Sequence, residues 1–286
     1  MYPNPYLAYV QSVKELFEDG QALPYGDFPA PPERIIPKDA PVALILSPHP
    51  DDECIIGGLP LRLSQEGGIR VVNVAVTLGS NPLRKEERLS ELQKACEWIG
   101  FELELTGKKG LDCIRPETPA DDPRHWQSCT DILAKIFDKY KPLAIFVPHA
   151  QDWNQTHLGV HLLAMAALQR SQNSKPWVIE TEYWGQMPAP NLMVENSTEE
   201  VAQLIGALSH HRGELERNPF HLRLPAWMQD NVRRGSEVVG GQGGQATTFD
   251  FATLYRLNRW EKNKLVSAWD GGKMLPSTQS ASTCLE

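Results

Sequence analysis

The stretch VALILSPHPDDE, residues 42–53, decides how the chain is read. VALIL at 42–46 has the length and apolar content of a buried strand. It runs straight into His49, Asp51, Asp52 and Glu53, one histidine and three acids within five positions. Charges so close repel one another and lose hydration when buried, so a polar cluster at the end of a core strand needs a physical reason. Two readings stand. The acids cap the following helix and favour its positive N-terminus, or they surround a cation that neutralises them. Either reading alone leaves some of the acids unaccounted for.

Working outward, the same strand-type runs recur: RVVNVAV at 70–76, LAIFVP at 143–148, WVIETEYW at 177–184 and a weaker FELEL at 101–105. Helical patterns fall between them at roughly 83–99, 122–140 and 156–171, with Leu89, Leu92, Ala95, Cys96 and Ile99 at three- and four-residue spacing. Asp121 and Asp122 ahead of Pro123 read as a helix start, and Pro60 should kink or delay the segment 54–66. Strands alternating with helices predict an α/β fold, Rossmann-like, with a largely parallel sheet flanked by helices. The Pro-rich residues up to 39 read as an irregular N-terminal arm, and 40–286 as a single α/β domain including a C-terminal extension from about 186. In that extension Ser197 and Glu200 have capping-box spacing, and VRRGSEVVGGQGGQ reads as a mobile loop.

Composition narrows the function classes. A chain of 286 residues with 41% hydrophobic and 22% charged residues can bury a sizeable core. Its formal net charge of −8 argues against nucleic acid as a partner. No apolar run reaches the ~20 residues a transmembrane helix needs, and the N-terminal residues lack the pattern of a signal peptide. The five cysteines are odd in number and have no paired short spacing, which suits a reducing, cytoplasmic location.

In parallel sheets ligands bind beyond the carboxyl ends of the strands. SPHPDDE begins where the first strand ends, and PHAQDWNQTH (148–157) follows another strand in the same way, so two polar loops are expected at one rim. His49 and Asp52 could supply two metal ligands there and His157 a third, in keeping with the three protein ligands of a catalytic zinc. Asp51 or Glu53 is then a spare carboxylate available as a base. Asp152 is placed to hold a ligand histidine. His149 is a candidate for the wall of the site, and His161 reads as a packed or surface histidine. Trp153, Tyr183 and Trp184 are aromatics near the rim that could stack on a ligand, with core packing as their default. His210 and His211 read as surface or partner contacts, and Cys54 as a small buried residue. No G-x-G-x-x-G follows the first strand, which disfavours dinucleotide binding.

PHPDDE after a strand resembles the signature of the PIG-L/LmbE family of zinc-dependent N-acetylglucosaminyl deacetylases. Thr77 and Gly79 are similar to that family's T-x-G, and Arg88, Glu91, Ala95 and Gly100 to its R-x-x-E-x-x-x-A-x-x-x-x-G helix. The resemblance covers roughly residues 40–185. It implies removal of an acetyl group from an N-acetylated amino sugar or related amide. It further implies His49, Asp52 and His157 as ligands of Zn2+, with another divalent metal admissible, Asp51 as general base and Arg88 in substrate binding. The implied partner is a small N-acetylated sugar, and a homo-oligomer is compatible with this reading.

One departure matters. Where the family has H-P-D-H, this chain has N-Q-T-H at 154–157, with Asn154 and Thr156 in place of His and Asp. Asparagine cannot act as an acid, so the leaving amine would take its proton from Asp51, water or another histidine, with Asn154 serving by hydrogen bonding to substrate. The departure also keeps two alternatives open: a non-catalytic metal- or ligand-binding protein, and a hydrolase of a different amide.

Overall fold

A computed structural model describes residues 4–171, 175–183, 185–243, 245 and 247–286. Leu7–Gly20 forms α1, so the irregular arm expected over 1–39 holds a regular helix, followed by a stretch with neither helix nor strand from 21 to 41. That stretch is tied down through Arg34, whose guanidinium donates to the Ile99 carbonyl at 2.6 Å.

The βα alternation begins with β1 (Val42–Ser47), the four-residue α2 (Asp52–Ile55), α3 (Gly58–Gly67) and β2 (Arg70–Ala75). Pro60 sits in the first turn of α3, where its missing N–H has no intrahelical partner to lose, so the chain breaks between α2 and α3 rather than kinking. Next come α4 (Lys85–Ile99), β3 (Glu102–Leu105), α5 (Thr118–Asp121) and α6 (Pro123–Tyr140). Asp122 caps α6 through its carboxylate, which accepts from the His125 amide, with Pro123 at the first helical position. β4 (Ala144–Pro148), α7 (Gln155–Arg170) and β5 (Trp177–Thr181) complete the parallel part.

The strands lie in the order β3-β2-β1-β4-β5, all parallel. Chain order reverses between β1 and β4, so the loops leaving these two strands part there and open a crevice. Residues along β1 alternate between two cores. Ala43 and Ile45 join the side built on α3 and α4, including Leu59, Leu63, Leu92 and Ala95. Val42, Leu44 and Leu46 join the α6 and α7 side, including Leu133, Phe137, Val160 and Leu163. Burial on both faces explains why these strands read as continuous apolar runs rather than alternating ones.

The C-terminal extension adds to this sheet as well as packing on it. Its elements are β6 (Leu192–Asn196), α8 (Thr198–Leu208), α9 (Arg212–Leu215), α10 (Leu224–Val238), β7 (Phe251–Glu261), β8 (Lys264–Ser267) and β9 (Lys273–Leu275). β7 pairs antiparallel with both β5 and β6, so the last segments carry the same sheet onward. Arg62, fully buried in α3, ties the extension down by donating to the carbonyls of Glu195 (3.0 Å) and Gln279 (2.7 Å). Ser197 and Glu200 form the expected capping box at α8. The mobile loop expected over 232–245 is corrected: 232–238 belong to α10. Val232, Val239 and Met193 share an apolar cluster there. The glycines that suggested a loop begin only at 240, past the helix.

Candidate active site

The loop leaving β1 is shaped by its own side chains. Pro48 and Pro50 keep helix from starting early. The His49 amide donates to Asp52 Oδ2 at 2.8 Å, which fixes the Asp52 carboxylate at the end of the strand. Between them Asp51 has φ 109°, a conformation that a residue with a Cβ reaches only at a cost of about 1–3 kcal/mol. It is held there by its amide, which donates to Glu53 Oε2 at 3.0 Å. Strain of this kind concentrates where a side chain must be aimed.

The loop leaving β4 supplies the opposite wall. Asn154 is the N-cap of α7: its Oδ1 accepts from the amides of Thr156 (2.9 Å) and His157 (3.4 Å). That places His157 in the first turn of α7, fully buried. Its Nδ1 lies 3.1 Å from Asp152 Oδ2, while Asp152 Oδ1 accepts from the Asn154 amide at 2.8 Å. A carboxylate on Nδ1 fixes the tautomer and leaves Nε2 as a lone-pair donor pointing inward.

Across the β1/β4 crevice the two loops converge. His157 Nε2 is 3.2 Å from His49 Nδ1 and 3.5 Å from Asp52 Oδ2, and His49 Nδ1 is 3.4 Å from Asp52 Oδ2. The three donor atoms lie within 4.8 Å of one another, and Asp52 Oδ1 is buried with no hydrogen-bond partner. A buried oxygen left unpaired costs ~1–3 kcal/mol or more. Two imidazole nitrogens and a carboxylate, one oxygen of which is unsatisfied, fit a divalent cation in both donor chemistry and count.

Next to this triad a cavity of about 280 Å³ opens, with His49 and Thr156 in its lining. Thr77 Oγ1 donates to the Pro48 carbonyl (2.7 Å) and accepts from the Gly79 amide (3.1 Å), binding the loop after β2 to the loop after β1. Gly79 has φ +84°, and a Cβ there would lie 2.4 Å from Arg88 Nη1, so glycine lets the guanidinium in. Arg88 donates to the Pro50 carbonyl at 2.9 Å and lies 3.8 Å from Asp51 Oδ2. Burial pushes the Asp51 carboxyl well above its usual range, and Asp52, Glu53 and Glu214 push the same way against Arg88.

Residues 44–168 match the family described as PIG-L: GlcNAc-PI de-N-acetylase. This stretch is a PIG-L domain. No curated protein matches the chain. Several solved structures share its fold. N,N'-diacetylchitobiose deacetylase from Pyrococcus horikoshii is 18% identical with a TM-score of 0.55, over 90% of this chain and 94% of that one. GalB, the 4-carboxy-2-hydroxymuconate hydratase of Pseudomonas putida, is 17% identical with a TM-score of 0.55, over 76% and 95%. The zinc-inhibited form of the teicoplanin deacetylase Orf2 is 16% identical with a TM-score of 0.53, over 77% and 99%. Likeness at this identity establishes the fold. A hydratase among these structures means that the chemistry has to be argued from the site itself.

The PIG-L domain accounts for most residues singled out in sequence. His49, Asp51, Asp52, Asp152, Asn154, His157 and Arg88 all stand on the two loops or on the face of α4 beside them. Glu91 Oε1 accepts from the Gly213 amide at 2.7 Å, and Gly100 ends α4 in the left-handed region, so those motif positions serve the fold around the site. His161 is packed, with Nδ1 2.8 Å from the Pro148 carbonyl. His149 turns away to the Gly185 carbonyl (2.9 Å) and does not line the cavity. Trp153 is exposed, Trp184 lies outside the described residues, and Tyr183 sets its ring edge-on against His157 at 4.7 Å between centroids.

The surface reading of His210 and His211 is corrected. His210 packs beside Phe28 and Trp98. His211 is fully buried, its Nε2 2.7 Å from Glu53 Oε1. Sequence reasoning also passed over Glu214, on which Arg84 and Arg217 converge beside Arg88. The signal for both was faint: an H-H-R-G-E run at the end of a probable helix, with no strand in front of it.

The cap changes what Asn154 can do. Asn154→Ala should cost about 0.5–2 kcal/mol of stability, the usual worth of an N-cap, and should disturb His157 three residues on. Asn154→Asp keeps the cap and should keep the melting temperature. Equal melting of Asn154→Ala and the parent chain would show that the cap contributes nothing.

Proposed function

We propose that the chain is a divalent-metal-dependent hydrolase that removes an acetyl group from an N-acetylated amino sugar. The observation that carries the reading is the convergence of His49, Asp52 and His157 beside a strained, buried Asp51 at the switch point of the sheet. The PIG-L match and the two deacetylases among the solved structures point the same way. His49 Nδ1, Asp52 and His157 Nε2 would hold the metal, zinc being the plainest fit to that donor set. Bound there, a divalent cation supplies Lewis-acid polarisation of an acyl carbonyl and lowers the pKa of water.

The chain's own groups do the rest. Asp152 keeps His157 in the tautomer that presents Nε2, which offsets the lack of a carboxylate at Thr156. Asp51 takes a proton as water adds to the acyl carbon, then returns it to nitrogen as the C–N bond breaks, leaving acetate and the free amine. Burial raises the Asp51 carboxyl well above its usual range, which favours its holding the proton between the two halves of that cycle. Asn154, its Oδ1 occupied with the amides of Thr156 and His157, supports the histidine by capping α7.

The reading is tested by acetate release from a panel of N-acetylated amino sugars, before and after chelation, with metal content measured in parallel. About one metal per chain is expected, with activity lost on chelation and restored by a divalent ion. His49→Ala should lower metal content sharply, since it removes one of three donors. Unchanged occupancy in that variant would take His49 out of the site. A chain that binds metal yet releases no acetate would favour the binding-protein alternative.

A further inference from the structure

Helix α1 carries an apolar stripe that the rest of the chain leaves almost bare. Tyr6, at its N-cap, Tyr9, Val13 and Leu16 recur at three- and four-residue spacing with Val10 beside them, so the five lie on one face. No residue of α1 is buried, and these five side chains are 56–74% exposed. The same face continues to Phe17 and Gly20, and only there does it meet the body of the protein. The Arg223 guanidinium lies over the Phe17 ring at 3.7 Å, and a Cβ at Gly20 would stand 3.0 Å from Leu222 Cδ2. The helix is moored by its last turn while roughly its first three turns overhang. Single exposed apolar residues are ordinary, but a contiguous patch on one helix face marks an interaction surface.

Charge and area say what fits it. The charged residues of α1 are Lys14, Glu15, Glu18 and Asp19, one base and three acids, all on its other faces. A helix lying on an anionic lipid surface needs lysines and arginines around its apolar face, and α1 has the opposite balance. A second α1 meets both requirements. Five side chains of this size and exposure offer roughly 700 Å² per copy, close to the ~800 Å² that each partner brings to a standard stable interface. The acids gather towards the C-terminal end, whereas the first turn holds no acid and has no side-chain cap. In an antiparallel pair each acidic end lies beside the positive N-terminus of the other helix. A parallel pair would set acids against acids.

We infer that α1 is a dimerisation helix, pairing antiparallel with α1 of a second copy through Tyr6, Tyr9, Val10, Val13 and Leu16. The pair is isologous: the twofold axis passes near Val13, so each Val13 meets its counterpart and Tyr9 meets Leu16. Tyrosines suit such a seam because they supply large, rigid contact area. α1 lies outside residues 44–168, so the pairing is a feature that this chain adds to its PIG-L domain.

The test is sedimentation equilibrium of the full chain from about 1 to 100 μM, where a micromolar or tighter pair is populated. The parent chain should approach twice the 32.1 kDa of one copy. Val13→Glu sets two carboxylates face to face in the seam and should weaken the dimer by at least about 100-fold. Val13 is exposed in the single copy, so melting of the dilute variant should match that of the dilute parent, which separates lost pairing from misfolding. Gln11→Glu, on the opposite face, should leave the dimer intact. For orientation, Tyr9→Cys mixed with Leu16→Cys should cross-link on mild oxidation. Neither variant alone should exceed the level that the parent chain reaches through its exposed Cys113.

A chain that stays monomeric throughout, or a dimer that Val13→Glu leaves unchanged, would overturn the inference. Self-linking of Tyr9→Cys above the parent level would make the pair parallel and overturn the arrangement. A monomer that binds phosphatidylcholine vesicles, and loses them on Val13→Glu, would also overturn it and hand the stripe to lipid.

Discussion

Asp51→Asn should leave the metal in place and lower kcat by about 10²–10⁴-fold, the usual contribution of a general base. The amide is nearly isosteric and keeps the contact to Arg88 weak but sterically intact, while it cannot accept a proton from water. The donor set is untouched, because His49, Asp52 and His157 are separate residues whose ring nitrogens and carboxylate face one another within 3.2–3.5 Å. Metal content is therefore the control and turnover the readout. Asp51→Glu makes a sharper companion. It keeps a carboxyl but lengthens the arm at a residue with φ 109°, so partial activity would show that aim as well as basicity matters. Near wild-type turnover in Asp51→Asn would pass the role of base to Glu53 or another group.

The parallel half of the fold was legible because its physics is local. Strands buried on both faces must be apolar throughout, so VALIL, VVNVAV and AIFVP stand out against any background. Helix starts at Asp122 and Ser197 were visible for the same reason, since each cap is closed within three residues. The triad followed from topology: two polar loops behind two parallel strands have to meet if the strands are neighbours, and β1 and β4 are. What stayed hidden is non-local. That β7 would insert between β5 and β6 cannot be read from its own residues, since an eleven-residue strand pairs equally well in many places. Glu53 and His211 are 158 positions apart. Nothing near either residue announces the other, and histidine is intermediate in its preference for burial, so its residue type alone does not mark His211 as a core residue.

That buried pair should be among the most costly contacts to break. Glu53 and His211 are both fully buried. Glu53 Oε1 receives His211 Nε2 at 2.7 Å and the Cys54 thiol at 3.3 Å, while Oε2 accepts the Asp51 amide at 3.0 Å. His211→Ala leaves a carboxylate in the core without its main partner, which typically costs about 3–5 kcal/mol. That is a large share of the 5–15 kcal/mol available to a whole domain, so denaturant midpoints should fall steeply. Glu53→Gln in the same chain removes the stranded charge and should recover part of the loss, so the two changes should be far from additive. Strict additivity would mean that the contact carries no energy of its own. The consequence for chemistry follows from the same geometry. Glu53 is the group that holds the Asp51 backbone in its strained turn, and with His211 gone its carboxylate is free to rotate towards water or other donors. Asp51 then loses its aim while the cavity lining supplied by Arg84 and Arg88 remains. In the fraction that stays folded, kcat should drop with KM little changed, and metal content should follow His49, Asp52 and His157 rather than His211. A rise in KM at constant kcat would instead place His211 in support of its neighbour Glu214 and the arginines that converge on it, and not of the base.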